Sequence, residues 1–329
     1  MKIQTVAEQA MKPWPALEQM GQTLELKGGK LFYYDSAAQS NPGQSNTGIT
    51  TASKPALFLI HGLGDEADTW RHLIPFLCAE GYRIIAPDLP GFGRSAHPEY
   101  SQWKERVSIN GHIKALMALV QKIDSGRQAI DSSRGKRQVI LIGSSMGAFI
   151  AQIIACRYPR LVKSLILLGA CYPLSGNVSK GMILMGLPFI GKTRYRGFQR
   201  DHEAAWKSLY PYYYDLDAMD SSDRDFLRCR VVDRVESPGQ EKAYFASLRS
   251  LIRMHIFAGN KFTHNTRVYP GKILLLWGES DRIMPVDKSA AFRSLRPDAD
   301  FQLISGSGHL PHQEAPEKTA GVILRFLAG

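Results

Sequence analysis

The chain has 329 residues, 44% hydrophobic and 22% charged, a balance that excludes a small stapled scaffold and allows one large domain or two modest ones. Its formal net charge of +11 would suit nucleic acid or an anionic surface. The basic residues are scattered, however; the densest stretches, Lys192 to Arg200 and Arg134 to Arg137, are short and no nucleic-acid module accompanies them, so they read as solvated surface with no nucleic-acid partner.

The first ten residues lack the apolar core of a signal peptide. No run reaches the roughly 18 apolar residues of a spanning helix, so no stable membrane insertion is expected. Cys78, Cys156, Cys171 and Cys229 show neither CxxC pairing nor metal-ligand spacing, and Cys78 and Cys156 sit in apolar helical patterns as buried free thiols. The expectation is a soluble, reduced, cytoplasmic protein that holds no metal.

In chain order, a polar stretch from Ser36 to Lys54 reads as a surface loop ahead of an apolar strand, Ala56 to Ile60. The loop His61-Gly62-Leu63-Gly64 comes next, its glycines letting the backbone approach a ligand, and then a helix over Ala67–Cys78. A strand at Tyr82 to Ala86, a helix over Arg106–Ile123 and a second polar loop, Asp124 to Lys136, lead to the strand Gln138 to Ile142.

That strand runs into Gly143-Ser144-Ser145-Met146-Gly147, a G-x-S-x-G sequence that opens a helix over Met146–Arg157. A serine on so sharp a strand-to-helix turn needs small neighbours, and its hydroxyl is pushed out near a helix N-terminus, where anionic character is favoured. Ser145 is therefore the candidate nucleophile, and Ser144 stands one position off the pattern. Beyond the helix lies a strand at Lys163 to Leu168.

From about Tyr172 to Arg267 the alternation breaks into helices: Gly181–Phe189, Asp201–Tyr210, Ser222–Val235 and Glu241–Ile256. Such a block between strand–helix units suggests a helical cap over a sheet. Most of Gly181 to Ile190 and of the aromatic run Tyr210 to Tyr214 serves helix packing, while an apolar ligand pocket beneath the cap is the functional reading, with Leu187, Phe189 and Tyr213 as candidates to line it.

Alternation resumes with the strand Lys272 to Trp277, after which Glu279 and Asp281 offer an acid. Asp281 is preferred because it sits deeper in the turn, beside Ile283 to Pro285. A helix over Val286–Ser294 and a strand at Asp300 to Ile304 precede Gly306-Ser307-Gly308-His309, then a terminal helix over Ala315–Leu327. A serine hydroxyl needs a base within reach and the base needs a buried acceptor to hold its tautomer. His309, on a loop at the end of a strand, is that base, and the eight other histidines have weaker cases.

These elements, with the turn Asp88-Leu-Pro-Gly-Phe-Gly-Arg-Ser95, resemble the α/β-hydrolase superfamily from about residue 30 to the C-terminus. The resemblance implies an α/β fold: a mostly parallel central sheet with helices on both faces and a helical cap after the sixth strand. It gives a core over residues 1–171 and 268–329 with the cap at 172–267. It also implies a triad in the order Ser145, Asp281, His309. Oxyanion donors are expected at the Leu63 and Met146 N–H groups. Asp88 is then a turn residue, not the acid.

Within that superfamily, serine at position 145 disfavours dehalogenases and epoxide hydrolases, whose nucleophile is normally Asp. The HGLG loop differs from that of proline iminopeptidases, and Leu310 stands where ring-cleavage-product hydrolases usually carry tryptophan. The leading expectation is a carboxylic ester hydrolase for small to medium apolar acyl groups, acting on a small-molecule ester without a cofactor. A C–C bond hydrolase, a thioesterase, or a binding protein on the same fold remain as alternatives. The oligomeric state is not legible.

Overall fold

The computed structural model describes residues 11–39, 54–97, 106–125, 138–170 and 180–329. Of the loops expected at 36–54 and 124–136, residues 40–53 and 126–136 lie outside these residues, as do Cys171 and Tyr172, while Ser36–Gln39 form a 3-10 turn. The strands are β1 (Gly21–Leu26), β2 (Gly29–Asp35), β3 (Leu57–Ile60), β4 (Ile84–Pro87), β5 (Val139–Ser144), β6 (Val162–Leu168), β7 (Lys272–Gly278) and β8 (Asp300–Ile304). They form one sheet in the order β1-β2-β4-β3-β5-β6-β7-β8. Pairs from β4 to β8 are parallel, and only β1–β2 and β2–β4 are antiparallel.

The six apolar runs read from the sequence are strands β3 to β8. The hairpin β1–β2 was not expected. Its turn is built on Gly28 and Gly29, with φ of 108° and 127°, values that glycine adopts without steric cost. Because this hairpin precedes them, the long helical block comes after the sixth strand of the sheet.

Side chains alternate across each strand and so feed two cores. Phe58, Ile60, Leu141, Leu165, Leu167, Leu275 and Trp277 point to one face, covered by helices α2 (Ile109–Ser125), α3 (Met146–Arg157) and α8 (Pro238–Val268). Leu57, Leu59, Ile140, Ile142, Ile166, Leu168, Leu274 and Leu276 point to the other, covered by α1 (Leu73–Ala79) and α11 (Pro316–Ala328). With both faces covered, the central strands are continuously apolar.

Between β6 and β7 lie α4 (Lys180–Gly186), α5 (Pro188–Arg200), α6 (His202–Lys207), α7 (Ser221–Glu236) and α8, with a core of their own around Trp206, Tyr213, Leu227, Val231 and Phe245. Short helices α9 (Ala290–Leu295) and α10 (Pro311–Glu314) complete the chain. The helix expected over Gly181–Phe189 is two helices. Pro188 drives the residue before it out of the helical region, and Leu187 has φ −69° and ψ 129°.

The helical segment is held to the sheet by buried charge. Arg234 Nη2 donates to Asp65 Oδ1 at 2.6 Å and Glu66 Oε1 at 2.7 Å, and its Nε to Glu66 Oε2 at 2.8 Å. Arg230 lies 3.3 Å from Asp68, and Arg71 donates to Asp223 at 2.7 Å. Burial works against the Glu66 charge, yet Arg234 and Arg230 hold its carboxyl below the ordinary range. Burial wins at Asp65, whose carboxyl is pushed up in spite of Arg234.

Candidate active site

The strand order reverses at β3: the chain moves out to β4 and then returns to β5 on the other side. In such sheets, ligands bind outside the carboxyl ends of the strands flanking the reversal. The loop after β3 and the turn after β5 are therefore the first place to look.

Ser145 joins β5 to α3 with φ 52° and ψ −114°. Among the described residues it is the only non-glycine with positive φ, a strain of about 1–3 kcal/mol that the surrounding structure must impose. The packing shows how. A Cβ on Gly147 would lie 2.0 Å from the Ile60 carbonyl oxygen, and one on Gly143 would lie 2.5 Å from the Ala148 nitrogen. Helix α3 can start this close to β3 only with glycine at both places. Ser145 is half-buried, whereas Ser144 is buried with no partner for its hydroxyl among the described residues.

His309 lies on the loop between β8 and α10, and Asp281 on the loop after β7. Their side chains meet in full burial, with His309 Nδ1 2.7 Å from Asp281 Oδ2. The other carboxylate oxygen, Oδ1, accepts the Ile283 N–H at 2.9 Å and the Met284 N–H at 2.8 Å. Asp281 offers only acceptors, so the imidazole N–H sits on Nδ1 and Nε2 keeps its lone pair. Glu279 is exposed, and its N–H donates to the Ile304 carbonyl at the end of β8.

The histidine loop is also tied to the helical segment. His309 N–H donates to the Tyr212 carbonyl at 2.7 Å. Glu314 accepts the Gly308 N–H at 2.7 Å on one oxygen and the Tyr214 N–H on the other. Burial pushes the Glu314 carboxyl up. A Cβ on Gly308 would come within 2.7 Å of the Tyr212 oxygen, so glycine permits the contact.

Gly62 to Asp65, Ser145, His309 and the helical segment enclose a cavity of about 190 Å³. Leu63 lines it directly, and Met146 is the buried first residue of α3, whose N–H is among those a helix leaves unpaired. A Cβ on Gly62 would lie 3.5 Å from Ser145 Cβ, which puts the loop against the serine. His61, given no role from sequence, braces this loop: Nδ1–H donates to the Gly62 carbonyl at 2.8 Å and Nε2 accepts the Leu89 N–H at 2.9 Å.

Tyr213 lines the cavity, buried, with its hydroxyl donating to Gln313 at 2.9 Å. Leu187 and Phe189 do not. They are 46% and 88% exposed on the outer surface, because the break at Pro188 turns this stretch away from the sheet. From the same helices Met185, Tyr195 and Phe198 line the cavity instead. A wider cleft of about 1340 Å³ lies between Lys54, Val139 and Arg160 at the amino end of the strands, remote from Ser145.

The chain belongs to the α/β-hydrolase fold family, whose pattern it matches over residues 55–316. It is a hydrolase. It is 28% identical to the 2-hydroxy-6-oxo-6-(2'-aminophenyl)hexa-2,4-dienoic acid hydrolase of Metapseudomonas resinovorans, over 88% of this chain and 89% of that one. It is 25% identical to the 2-hydroxy-6-oxononadienedioate/2-hydroxy-6-oxononatrienedioate hydrolase of Paraburkholderia phymatum, over 84% and 88%. Its fold is similar to that of a thermophilic esterase from Thermogutta terrifontis (TM-score 0.69, 18% identity, 93% of this chain and 98% of that one).

Proposed function

We propose that the chain is a serine hydrolase of carboxylic esters, with Ser145 as nucleophile, His309 as general base and Asp281 as the group that orients and stabilises the imidazolium. The observation that carries this reading is the strained Ser145 backbone sharing one cavity with a histidine whose Nδ1 is fixed by a buried carboxylate. Nε2 takes the hydroxyl proton as Oγ attacks the ester carbonyl, then returns it to the departing alcohol. Water repeats the cycle on the acyl-enzyme. The Leu63 and Met146 N–H groups stabilise the oxyanion. Residues 172–267 act as a cap over a core formed by 1–171 and 268–329. They shape the acyl pocket and supply no reacting group.

The pocket favours small neutral esters. Its volume of about 190 Å³ is below the roughly 300–1,000 Å³ of pockets that take drug-sized ligands. Its lining is mostly apolar and aromatic, and Arg234, the cationic side chain among the described lining residues, already holds two carboxylates. A second reading, cleavage of a C–C bond in a ring-cleavage product, is favoured by the names of the two relatives. Those substrates are acids, and a carboxylate here would meet Asp65 beside an Arg234 that is already paired. A panel of nitrophenyl esters, acyl-CoA thioesters and vinylogous diketones tests the choice. Turnover of short nitrophenyl esters at least tenfold above the diketones is expected; the reverse order overturns the ester reading.

A further inference from the structure

The helical segment has an outer face as well as the inner one that lines the cavity. Ile183, Leu184, Leu187, Phe189 and Ile190, along α4 and the start of α5, are 44%, 50%, 46%, 88% and 42% exposed. Ile256 and Phe257 on α8 are 55% and 81% exposed. The two groups lie on packed helices: a Cβ on Gly186 of α4 would be 2.8 Å from Ile252 Cδ1, one turn before Ile256. Seven large apolar side chains left in water on adjoining helices are more than the scattered surface leucine that needs no explanation.

Charge singles out the same helices. Residues 180–200 contain Lys180, Lys192, Arg194, Arg196 and Arg200 and no acid. Residues 242–278 contain Lys242, Arg249, Arg253, Lys261, Arg267 and Lys272, again with no acid. Lys192, Arg194, Arg196 and Arg253 are exposed, and none forms an ion pair among the described residues. The neighbouring α6 and α7 differ: Glu203, Asp220, Asp223, Asp225, Asp233 and Glu236 lie on or at the ends of them. Acids are thus absent from α4, from α5 and from α8 beyond its first-turn Glu241, and retained next door.

An apolar stretch flanked by unpaired cations, with Glu241 at the start of α8 as the one acid on α4, α5 and α8, fits a surface that is both negative and hydrocarbon-backed. A protein groove would match the apolar part but gives no reason for a one-signed rim on two helices distant in sequence. We propose that this face, formed by α4, the first turns of α5 and the middle of α8, docks the protein peripherally on an anionic lipid bilayer. Phe189 and Phe257 enter the interface and Lys192, Arg194, Arg196 and Arg253 lie among the headgroups. No helix among the described residues is long and apolar enough to cross a membrane. Sequence alone had assigned these cations to plain solvation; the exposed apolar groups beside them change that reading.

The test is sedimentation of the full chain with large unilamellar vesicles of phosphatidylcholine alone or with 30% phosphatidylglycerol, at about 0.1 M salt. Binding to the anionic vesicles and not to the neutral ones is expected, weakening severalfold at 0.5 M salt because the headgroup attraction is screened. The variant Lys192→Gln/Arg194→Gln/Arg196→Gln should lose roughly fivefold in affinity for each cation removed. Phe189→Ser/Phe257→Ser should lose at least tenfold while its thermal midpoint does not fall. Equal binding to both vesicle types, no binding to either, or binding unchanged in both variants would overturn the proposal. So would a wild-type dimer in sedimentation velocity that Phe189→Ser/Phe257→Ser converts to monomer, since the face would then belong to a second copy.

Discussion

Replacing Asp281 by Asn exchanges one carboxylate oxygen for an NH2 group at a position where both oxygens are in use. Oδ1 holds the Ile283 and Met284 N–H groups and Oδ2 faces His309 Nδ1. An amide has one oxygen to give. If it faced His309, its NH2 would abut two buried backbone donors, at about 1–3 kcal/mol for each donor left unsatisfied. The amide oxygen therefore stays on the backbone pair and the NH2 group faces the imidazole. A donor there requires Nδ1 to be the acceptor, which moves the ring proton to Nε2 and leaves Ser145 without a base. The loss of kcat should be about 10⁴-fold, as for the matching change in another serine hydrolase, near 5 kcal/mol of barrier. The assay is steady-state turnover of a short nitrophenyl ester, with the thermal midpoint measured alongside. Retention of a tenth of the activity by Asp281→Asn, or a larger loss in Glu279→Gln, would refute the reasoning.

Ser145→Ala should lower kcat on the order of 10⁶-fold and abolish fluorophosphonate labelling, while Ser144→Ala remains labelled; the reverse pattern would move the nucleophile. Gly147→Ala should cost at least about 3 kcal/mol in urea unfolding, because its Cβ would lie 2.0 Å from a carbonyl oxygen of the central sheet, and a cost below 1 kcal/mol would show that α3 can shift. Burial lowers the His112 pKa to about 3, where Nε2–H donates to Ser247 and Nδ1 has no partner. The unfolded chain takes up a proton near pH 6.5 and the folded one does not, so stability should fall with pH between about 6.5 and 3 by up to about 1.4 kcal/mol per unit. His112→Gln should flatten that slope by a comparable amount; an identical slope in the variant refutes the assignment.

Strands β3 to β8 were legible because burial on both faces removes polar residues and leaves unbroken apolar runs. The G-x-S-x-G turn was legible because it stands between such a run and a helix. The hairpin β1–β2 was missed although Gly28-Gly29 separates two alternating stretches, since its half-exposed strands carry a weaker apolar signal. Asp281 and Glu279 could be ranked from sequence only by depth in a turn, and the contact that separates them depends on where β8 leaves His309. Leu187 and Phe189 show the opposite limit. Apolar periodicity says that a face exists and not which way it looks, and Pro188 turned it outward. His61 and Glu314 left no local signature, because each joins its own segment to a distant one, at Leu89 and Tyr214 respectively.

The proposed base hangs from the helical segment by the main-chain carbonyl of Tyr212, whose ring also lies edge-on to the imidazole at 5.8 Å. Every amino acid carries that oxygen, so the insertion can change nearly all of its residues without losing hold of His309. Only the path of the backbone past Gly308 has to be kept. Substrate preference can therefore drift through the insertion's side chains while the chemistry stays fixed. A chain cut short before the insertion packs down would lack that tether on His309, so reactivity at Ser145 should arise late in folding, after the segment between β6 and β7 has closed.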